Sequence, residues 1–500
     1  MRPPSLSDAL LPLGTMVVLI ASSLLLFGLD ALDGPIQVAL LLCSMVAGLI
    51  ALKNGYRWED VQRAAQGSMA SITSAVFILF AVGALIGVWN LSGTIPTLVY
   101  YGIQILSPSW YYAATALICG AVAMAIGSSW TTAGTIGVGL VGIAVALGVS
   151  PEITAGAVVS GAYLGDKSSP LSETTVLASQ VVQVDVYTHI RAQLWTSVPA
   201  FVLAVVGFLL LGFIGPSVED SVSTSVELGA LNGIYSITPL NLLPLILLGV
   251  LSVRKVPASL ALTLSTLFAG VLAAILQPAV VADFVAGAGS SAVESVKAVW
   301  QAMAIGFRSD TGVSEIDALL SRGGMSSMLM TIWLIIGAVT FGAILDELGL
   351  LGRIVDPMVR TARSTGRLFA TVFASCFGLN VVAGDQYIAL VLPSRVFKAE
   401  FARRGLAPTN LSRLAADSGT VTSALVPWNS CGAFMAAVLG VPTLAYLPYA
   451  FFNIASPLIN LAYGFTGFKV ERLDESHPPE TSAAGPFGQD NPSPAAGEET

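Results

Sequence analysis

The chain is predicted to be an all-α polytopic membrane protein, with roughly a dozen membrane segments in two inverted-topology repeats that contain re-entrant hairpins and broken helices. Three observations carry this. Of 500 residues, 55% are hydrophobic and only 10% charged, where a soluble protein carries about a quarter charged residues. Apolar stretches long enough to cross a bilayer recur from one end to the other. The glycine and proline pattern of the first half returns in the second with its loop charges moved to the other face.

The apolar stretches come first. A spanning helix needs about 20 mostly apolar residues, and residues 11–27, 36–52, 70–89, 194–214, 257–276, 328–345 and 443–465 supply them, with a mean hydropathy of +0.80 for the whole chain. No soluble catalytic domain fits between them. Arg2 ahead of an apolar run imitates a signal peptide, but a second run starts at Ile36 and no small-residue cleavage site closes the first. A retained first helix is expected. Cys43, Cys119, Cys376 and Cys431 lie in apolar surroundings without metal-ligand spacing, which reads as small core residues. The net charge of −8 is inflated by an acidic tail and identifies no partner.

The repeat comes second. A shift of 257 residues pairs Gly127 with Gly384, Gly148 with Gly405, Pro151 with Pro408 and Pro170 with Pro427. A shift of 256 pairs WNLSG (89–93) with LDELG (345–349), and one of 222 pairs Pro35 with Pro257. Arg and Lys accumulate in cytoplasmic loops. Residues 395–413 carry five basic side chains, while the equivalent 138–156 carry none; 346–367 hold Arg353, Arg360, Arg363 and Arg367, while 90–111 are uncharged. Equivalent loops therefore lie on opposite sides, as in secondary transporters with inverted repeats. The expected layout is a cytoplasmic N-terminus (1–10), a first repeat (11–214), an acidic extracytoplasmic loop (215–238), a second repeat (239–468) and a disordered tail (469–500) rich in Pro, acids and small residues.

The polar segments come third. An Asp, Lys or Arg at membrane depth costs about 2.5–3.5 kcal/mol on insertion scales. SGAYLGDKSSPLSETT (160–175) nevertheless holds Asp166, Lys167 and Glu173 with five hydroxyls from Ser168 onward. Pro170 removes a backbone donor and biases Ser169 away from helix, and Gly161 and Gly165 are expected to loosen the segment. The result is a broken helix whose carbonyls and hydroxyls can replace a cation's hydration shell. Asp166 is the leading candidate for a carboxylate that holds either Na+ or H+, because burial favours the neutral acid and a bound cation favours the carboxylate. The bland reading is a buried Asp166–Lys167 pair tying helices together; Lys167 is in either case a charge partner. Glu173 is a second carboxylate or a helix-start residue.

GSSWTTAGT (127–135) offers Ser128, Ser129, Thr131, Thr132 and Thr135 at a re-entrant hairpin tip facing the cation or along a helix contact. In the second half, NVVAGDQ (380–386) and DSGTVTSALVPWNSCG (417–432) occupy the matching positions. Asp385 and Asp417 are candidate ionisable residues there, and Asn429 and Ser430 offer neutral oxygens. The 257 shift places Ser423 opposite Asp166, so the halves are not equivalent in ion binding. His189, beside Arg191, is a pH sensor or an interfacial structural residue.

GAYLGDKSSPLSETTVLAS followed by VDVYTHIRAQLWTSVPA is similar to the signature of the NhaC family of Na+/H+ antiporters, and GSSWTTAGTIGVGLVGIA and LVPWNSCGAFMAAVLGVP resemble it as well. The resemblance covers most of residues 30–465. It implies membership of the wider ion transporter superfamily, with a scaffold and a mobile transport unit, paired re-entrant hairpins, and homodimers in the inner membrane. It also places Asp166, Ser168, Ser172 and Thr174 in the first-half ion site, and Ser128, Thr131, Asp385 and Asn429 at hairpin tips and the second broken helix. The expected activity is Na+/H+ exchange, Li+ substituting for Na+, with no cofactor beyond the transported ions. Members of the family that resemble malate/lactate exchangers supply the alternative, a Na+- or H+-coupled carboxylate exchanger. An intramembrane enzyme is disfavoured, since the sequence offers no nucleophile–base pair and no His-rich metal motif.

Overall fold

In a bilayer every backbone polar group must be satisfied within the protein, so a chain this apolar is driven into helices. The structure, a computed structural model, describes residues 4–105, 107–214, 229, 231–285, 292–309, 317 and 320–473. Among these the regular elements are helical, and one isolated bridge pairs Leu406 with Arg472. Most of the 215–238 loop and of the 469–500 tail lies outside the described residues.

The first half runs through α1 (Leu6–Phe27), α2 (Pro35–Lys53), α3 (Trp58–Leu91), α4 (Thr94–Ile105), α5 (Pro108–Ile126) and the short α6 (Ser129–Thr132). A π-turn (Ala133–Gly137) leads into α7 (Val138–Ala146), followed by α8 (Pro151–Ser168), α9 (Glu173–Val182) and α10 (Val186–Ile214). The second half contains α11 (Leu243–Val253), α12 (Ala258–Leu276), α13 (Pro278–Phe284), α14 (Ala292–Ile305), α15 (Leu329–Glu347) and α16 (Leu350–Thr361). It continues with α17 (Thr365–Val382), α18 (Gln386–Arg403), α19 (Pro408–Ala415), a π-turn (Ala416–Thr420), α20 (Ser430–Leu439), α21 (Thr443–Tyr446) and α22 (Phe451–Thr466). Proline at the first turn starts α2, α5, α8 and α19, where its missing N–H is not needed.

Eight helices among the described residues are long and apolar enough to cross a membrane, or ten if two bent pairs each count once. The bent pairs are 408–425 with α20, at 45°, and 443–449 with α22, at 57°. The expected dozen also counted shorter and glycine-broken segments; α8, which carries Glu152, Asp166 and Lys167, is too polar to qualify by composition. Large apolar side chains such as Leu25, Phe213 and Ile275 are exposed, while Asp166, Lys167 and Asp417 are buried. That inside-out polarity suits a lipid surround. Helix α1 begins at Leu6, ahead of the apolar run at 11, because Ser5 and Asp8 form a capping box. Lys53 at the end of α2 meets Asp8 at 2.6 Å, so the start of α1 and the end of α2 lie on one side.

One expectation is corrected here. Gly161 and Gly165 do not loosen α8, which continues to Ser168. A Cβ on Gly161 would lie 2.4 Å from the Ala116 carbonyl oxygen, and one on Gly165 2.1 Å from the Ala123 carbonyl carbon. The two glycines let α8 press against α5, the small-residue spacing that brings membrane helices together.

Candidate cation site

The break in the α8–α9 segment spans only Ser169 to Ser172. Ser169 turns extended ahead of Pro170, and the chain resumes as helix at Glu173 with Ser172 as N-cap. The carbonyls freed by this interruption are taken up by α9: Thr175 Oγ1 donates to the Asp166 carbonyl at 2.9 Å and to the Lys167 carbonyl at 2.8 Å. Thr174 Oγ1 donates to the Asp166 carbonyl at 3.2 Å. Asp166 is thus held in the last turn of a helix facing the N-terminus of the next.

Its carboxylate accepts three hydroxyls. Ser172 and Thr174 donate to Oδ1 at 2.7 and 3.1 Å, and Ser129 donates to Oδ2 at 2.5 Å. Ser129 comes from the tip formed where α5 ends. Gly127 there has φ +78°, and a Cβ on it would sit 2.6 Å from the Leu171 carbonyl carbon, so glycine allows the tip to rest on the break. Ser128 caps α6, accepting from Thr131 N at 3.2 Å and Thr131 Oγ1 at 3.0 Å. Hydroxyl oxygens that donate to a carboxylate keep lone pairs for a cation. One carboxylate and several neutral oxygens, converging in a buried place, can bind a desolvated monovalent ion or a proton at the same atoms.

The second half supplies a matching tip. Gly384 has φ +62°, and Asp385 caps α18 through Oδ1, which accepts from Tyr387 N at 2.7 Å and Ile388 N at 3.1 Å. The Gly384 carbonyl accepts from Ser430 N at 2.9 Å. A cavity of about 980 Å³ joins both tips; Ser128, Ser129, Thr131, Asp166, Glu173, Thr174, Asp385 and Ser430 line it. Exposed Arg63, Lys255, Asp346 and Glu347 line it as well, so the cavity runs from the surface to the buried carboxylates. Glu173, in the first turn of α9, accepts from Tyr387 OH at 3.1 Å and so links the two halves across the cavity.

Five residues singled out in the sequence lie elsewhere. Lys167 turns away from Asp166 and pairs with Asp417, both side chains fully buried. The ammonium also donates to Thr196 at 2.9 Å and Ser456 at 2.8 Å, which uses all three of its protons. Asp417, on the π-turn, accepts in addition from Ser456, from Thr196 at 3.0 Å and from Asn460 at 2.6 Å. The Asp166–Lys167 pair weighed from the sequence is therefore absent: successive residues on a helix point about 100° apart, and a partner waited on the other side. Ser168 donates to Ser197 at 3.1 Å, and Asn429 caps α20 while donating to Asn380. His189 is fully buried, between Ser412 Oγ at 2.9 Å and Gln193 Nε2 at 2.5 Å.

Among the tip hydroxyls the family resemblance singles out Ser128 and Thr131, but it is Ser129 that makes the direct contact. Gln386 and Trp130 were also missed as lining residues.

The sequence model of the Na+/H+ antiporter family matches residues 9–180 and 161–468. The chain is similar to the Na+/H+ antiporter NhaC of Alkalihalophilus pseudofirmus, 38% identical over 92% of this chain and 96% of that one. It is 37% identical to the arginine/ornithine antiporter ArcD of Halobacterium salinarum over 96% of both chains. It is 34% identical to the malate-2H+/Na+-lactate antiporter of Bacillus subtilis, over 93% of this chain and 96% of the relative.

Proposed function

Because the chain belongs to the Na+/H+ antiporter family, we propose that it exchanges Na+ for H+, with Li+ able to replace Na+, at a site centred on Asp166. The observation that carries this reading is the buried Asp166 carboxylate, held by Ser129, Ser172 and Thr174 at the end of a broken helix and open to a cavity. A proton and Na+ compete for the same oxygens. When Na+ enters, the hydroxyls turn lone pairs toward it and the carboxyl releases its proton; when the proton returns, the ion loses its charged ligand. That competition couples the two movements in opposite directions. The test is Na+-induced proton movement in vesicles. Asp166→Asn keeps size and most hydrogen bonds but cannot release a proton, and it should abolish exchange in a folded, inserted protein. Near wild-type exchange by that variant would place the coupling carboxylate elsewhere.

The cavity opens to the cytoplasm in this reading, since exposed Arg63 and Lys255 line it and exposed Arg57 and Arg254 lie close to them in the chain. The Asp8–Lys53 contact then puts the N-terminus on the same side of the plasma membrane. Two inverted halves are supported by paired elements. Ser172 and Asn429 cap α9 and α20, Ser128 and Asp385 follow left-handed glycines at the two tips, and α4 and α16 follow left-handed Gly93 and Gly349. A moving unit of this kind needs a fixed frame, so a homodimer would associate outside residues 127–190. Crosslinks between residues 161–175 of two protomers, compatible with full activity, would count against that arrangement.

An organic cargo is the second reading, favoured by the cavity's size. One water occupies about 30 Å³ of liquid, so 980 Å³ exceeds the needs of an ion and its inner hydration shell. The malate/lactate relative makes a carboxylate one such cargo. Against a dianion stand five lining carboxylates, Asp166, Glu173, Asp346, Glu347 and Asp385, beside only Arg63 and Lys255. Proton movement that appears only when malate or lactate is added would favour the carboxylate exchanger.

A further inference from the structure

Basic residues gather in the cytoplasmic loops of membrane proteins generally, but one corner of this chain concentrates them from three distant segments. Residues 362–367 lead into α17, 400–406 close α18, and 468–473 follow α22. Hydrogen bonds tie the three together. Arg404 Nη2 donates to the Ala362 carbonyl, Leu473 N to the Gly405 carbonyl at 2.9 Å, and Ala407 N to the Glu471 carbonyl at 3.0 Å. The corner carries Arg363, Arg367, Arg403, Arg404, Lys469 and Arg472 against Glu400 and Glu471. Glu400 is shared by Arg403 and Arg404, at 2.7 and 2.6 Å, so a positive charge is left over even there. Arg363, Arg367 and Arg472 are exposed, and their side chains make no hydrogen bond or ion pair among the described residues.

The surface beside this corner is apolar. A Cβ on Gly366 would fall 2.3 Å from the Phe465 ring, and Phe465 is 64% exposed. Phe468, 52% exposed, meets Tyr463 edge to face at 5.0 Å, and Lys469 Nζ sits 3.8 Å from the ring centre of exposed Trp195. Exposed rings with cationic groups directly over them belong to the headgroup level of a bilayer, where the rings reach the acyl chains and the charges stay in the polar layer. The corner therefore faces lipid.

We propose that this corner binds the phosphate headgroup of an acidic phospholipid through Arg363, Arg367 and Arg472, with Phe465 and Phe468 against its acyl chains. A guanidinium presents a planar fork of donors that matches phosphate oxygens, and the phosphate meets charges that the protein itself leaves without partners. A zwitterionic headgroup brings its own ammonium and gains less from the excess positive charge. The bound lipid also braces the strap formed by residues 468–473. That strap holds α19 in turn, since Arg413 Nη2 donates to the Lys469 carbonyl at 3.0 Å. None of these residues lines the cavity, so the proposal stands apart from the Na+/H+ reading.

Native mass spectrometry of the full-length protein in detergent tests this, with dioleoylphosphatidylglycerol, dioleoylphosphatidylcholine and ammonium phosphate added in turn. The wild-type protein should retain phosphatidylglycerol in preference to phosphatidylcholine. Each basic side chain near an anionic lipid contributes about fivefold in affinity, so Arg363→Gln with Arg367→Gln should weaken phosphatidylglycerol binding by roughly 25-fold. Arg57→Gln with Arg254→Gln, an equal loss of charge at exposed positions elsewhere, should leave it unchanged. Both double variants alter exposed side chains and should melt at the wild-type temperature without lipid. Added phosphatidylglycerol should raise the melting temperature of the wild type, because it binds the folded state, and should not raise that of the Arg363→Gln/Arg367→Gln variant. Equal retention of the two lipids, or equal weakening by both double variants, would overturn the proposal in favour of general surface charge. Ammonium phosphate that displaces phosphatidylglycerol at matching concentration would overturn it in favour of a free-anion site.

Discussion

The buried charges do different work at neighbouring positions. Asp166 meets only hydroxyls and a cavity, whereas Lys167 and Asp417 saturate each other within a closed network. Removing one member of such a pair leaves a bare buried charge, at a cost of about 3–5 kcal/mol, while replacing both with apolar groups of similar volume is close to neutral. Lys167→Met alone should therefore lower the melting temperature and the yield of folded protein sharply. Lys167→Met with Asp417→Leu should recover most of both. If the double variant is as unstable as the single one, the network around Thr196, Ser456 and Asn460 depends on the charges themselves. Ser129→Ala tests the neighbouring site. It removes one donor to Asp166, and by the net worth of such a bond, about 1–1.5 kcal/mol, apparent Na+ affinity should fall roughly 5- to 10-fold. The maximal rate should change less, and an unchanged affinity measured by Na+ titration of exchange would remove Ser129 from the site.

At the scale of elements, small residues decide how closely α8 can approach α5. Gly165→Ala would put a Cβ 2.1 Å from the Ala123 carbonyl carbon. The helices must then separate, at a cost of roughly 1–3 kcal/mol or more, and Asp166 one residue later would shift relative to Ser129. Thermal melting and exchange rate should both fall. Gly378→Ala in α17 is the control of opposite sign: nothing lies within 4 Å of its added Cβ. Alanine is favoured over glycine in a helix by up to about 1 kcal/mol, so that variant should melt at the same temperature or higher. The same melting experiment reads both, and equal effects would mean that α5–α8 packing is not what these glycines serve. The sequence announced this break through Pro170, but not the glycines' role. Glycine reads alike as a flexible joint and as a contact surface until its neighbour is known.

For the molecule as a whole, the sidedness of equivalent loops carries the repeat reading. Single cysteines at Ala402 and Val149 occupy equivalent regions of the two halves, and the four native cysteines are buried, which keeps background labelling low. Membrane-impermeant reagents should label Ala402→Cys only from the cytoplasm and Val149→Cys only from outside. Labelling of both from one face would dismiss the inverted arrangement.

Membrane insertion, the helical class, the family and the break at Pro170 were legible in the chain itself, because each depends on local quantities: hydropathy over about 20 residues, the missing N–H of proline, and a contiguous motif. The unusual placement of Asp166 was legible for the same reason, as a carboxylate within an apolar stretch, and the structure buries it beside the cavity. Tertiary structure alone decided who meets whom. It turned Lys167 toward Asp417, 250 positions away, brought Ser129 rather than Ser128 onto the Asp166 carboxylate, and gathered Asp385, Gln386 and Glu173 around one cavity. The physical reason is that a side chain's partner is set by which helix faces pack together. Two neighbours on one helix look in directions about 100° apart, and nothing in their own segment records what lies across the gap.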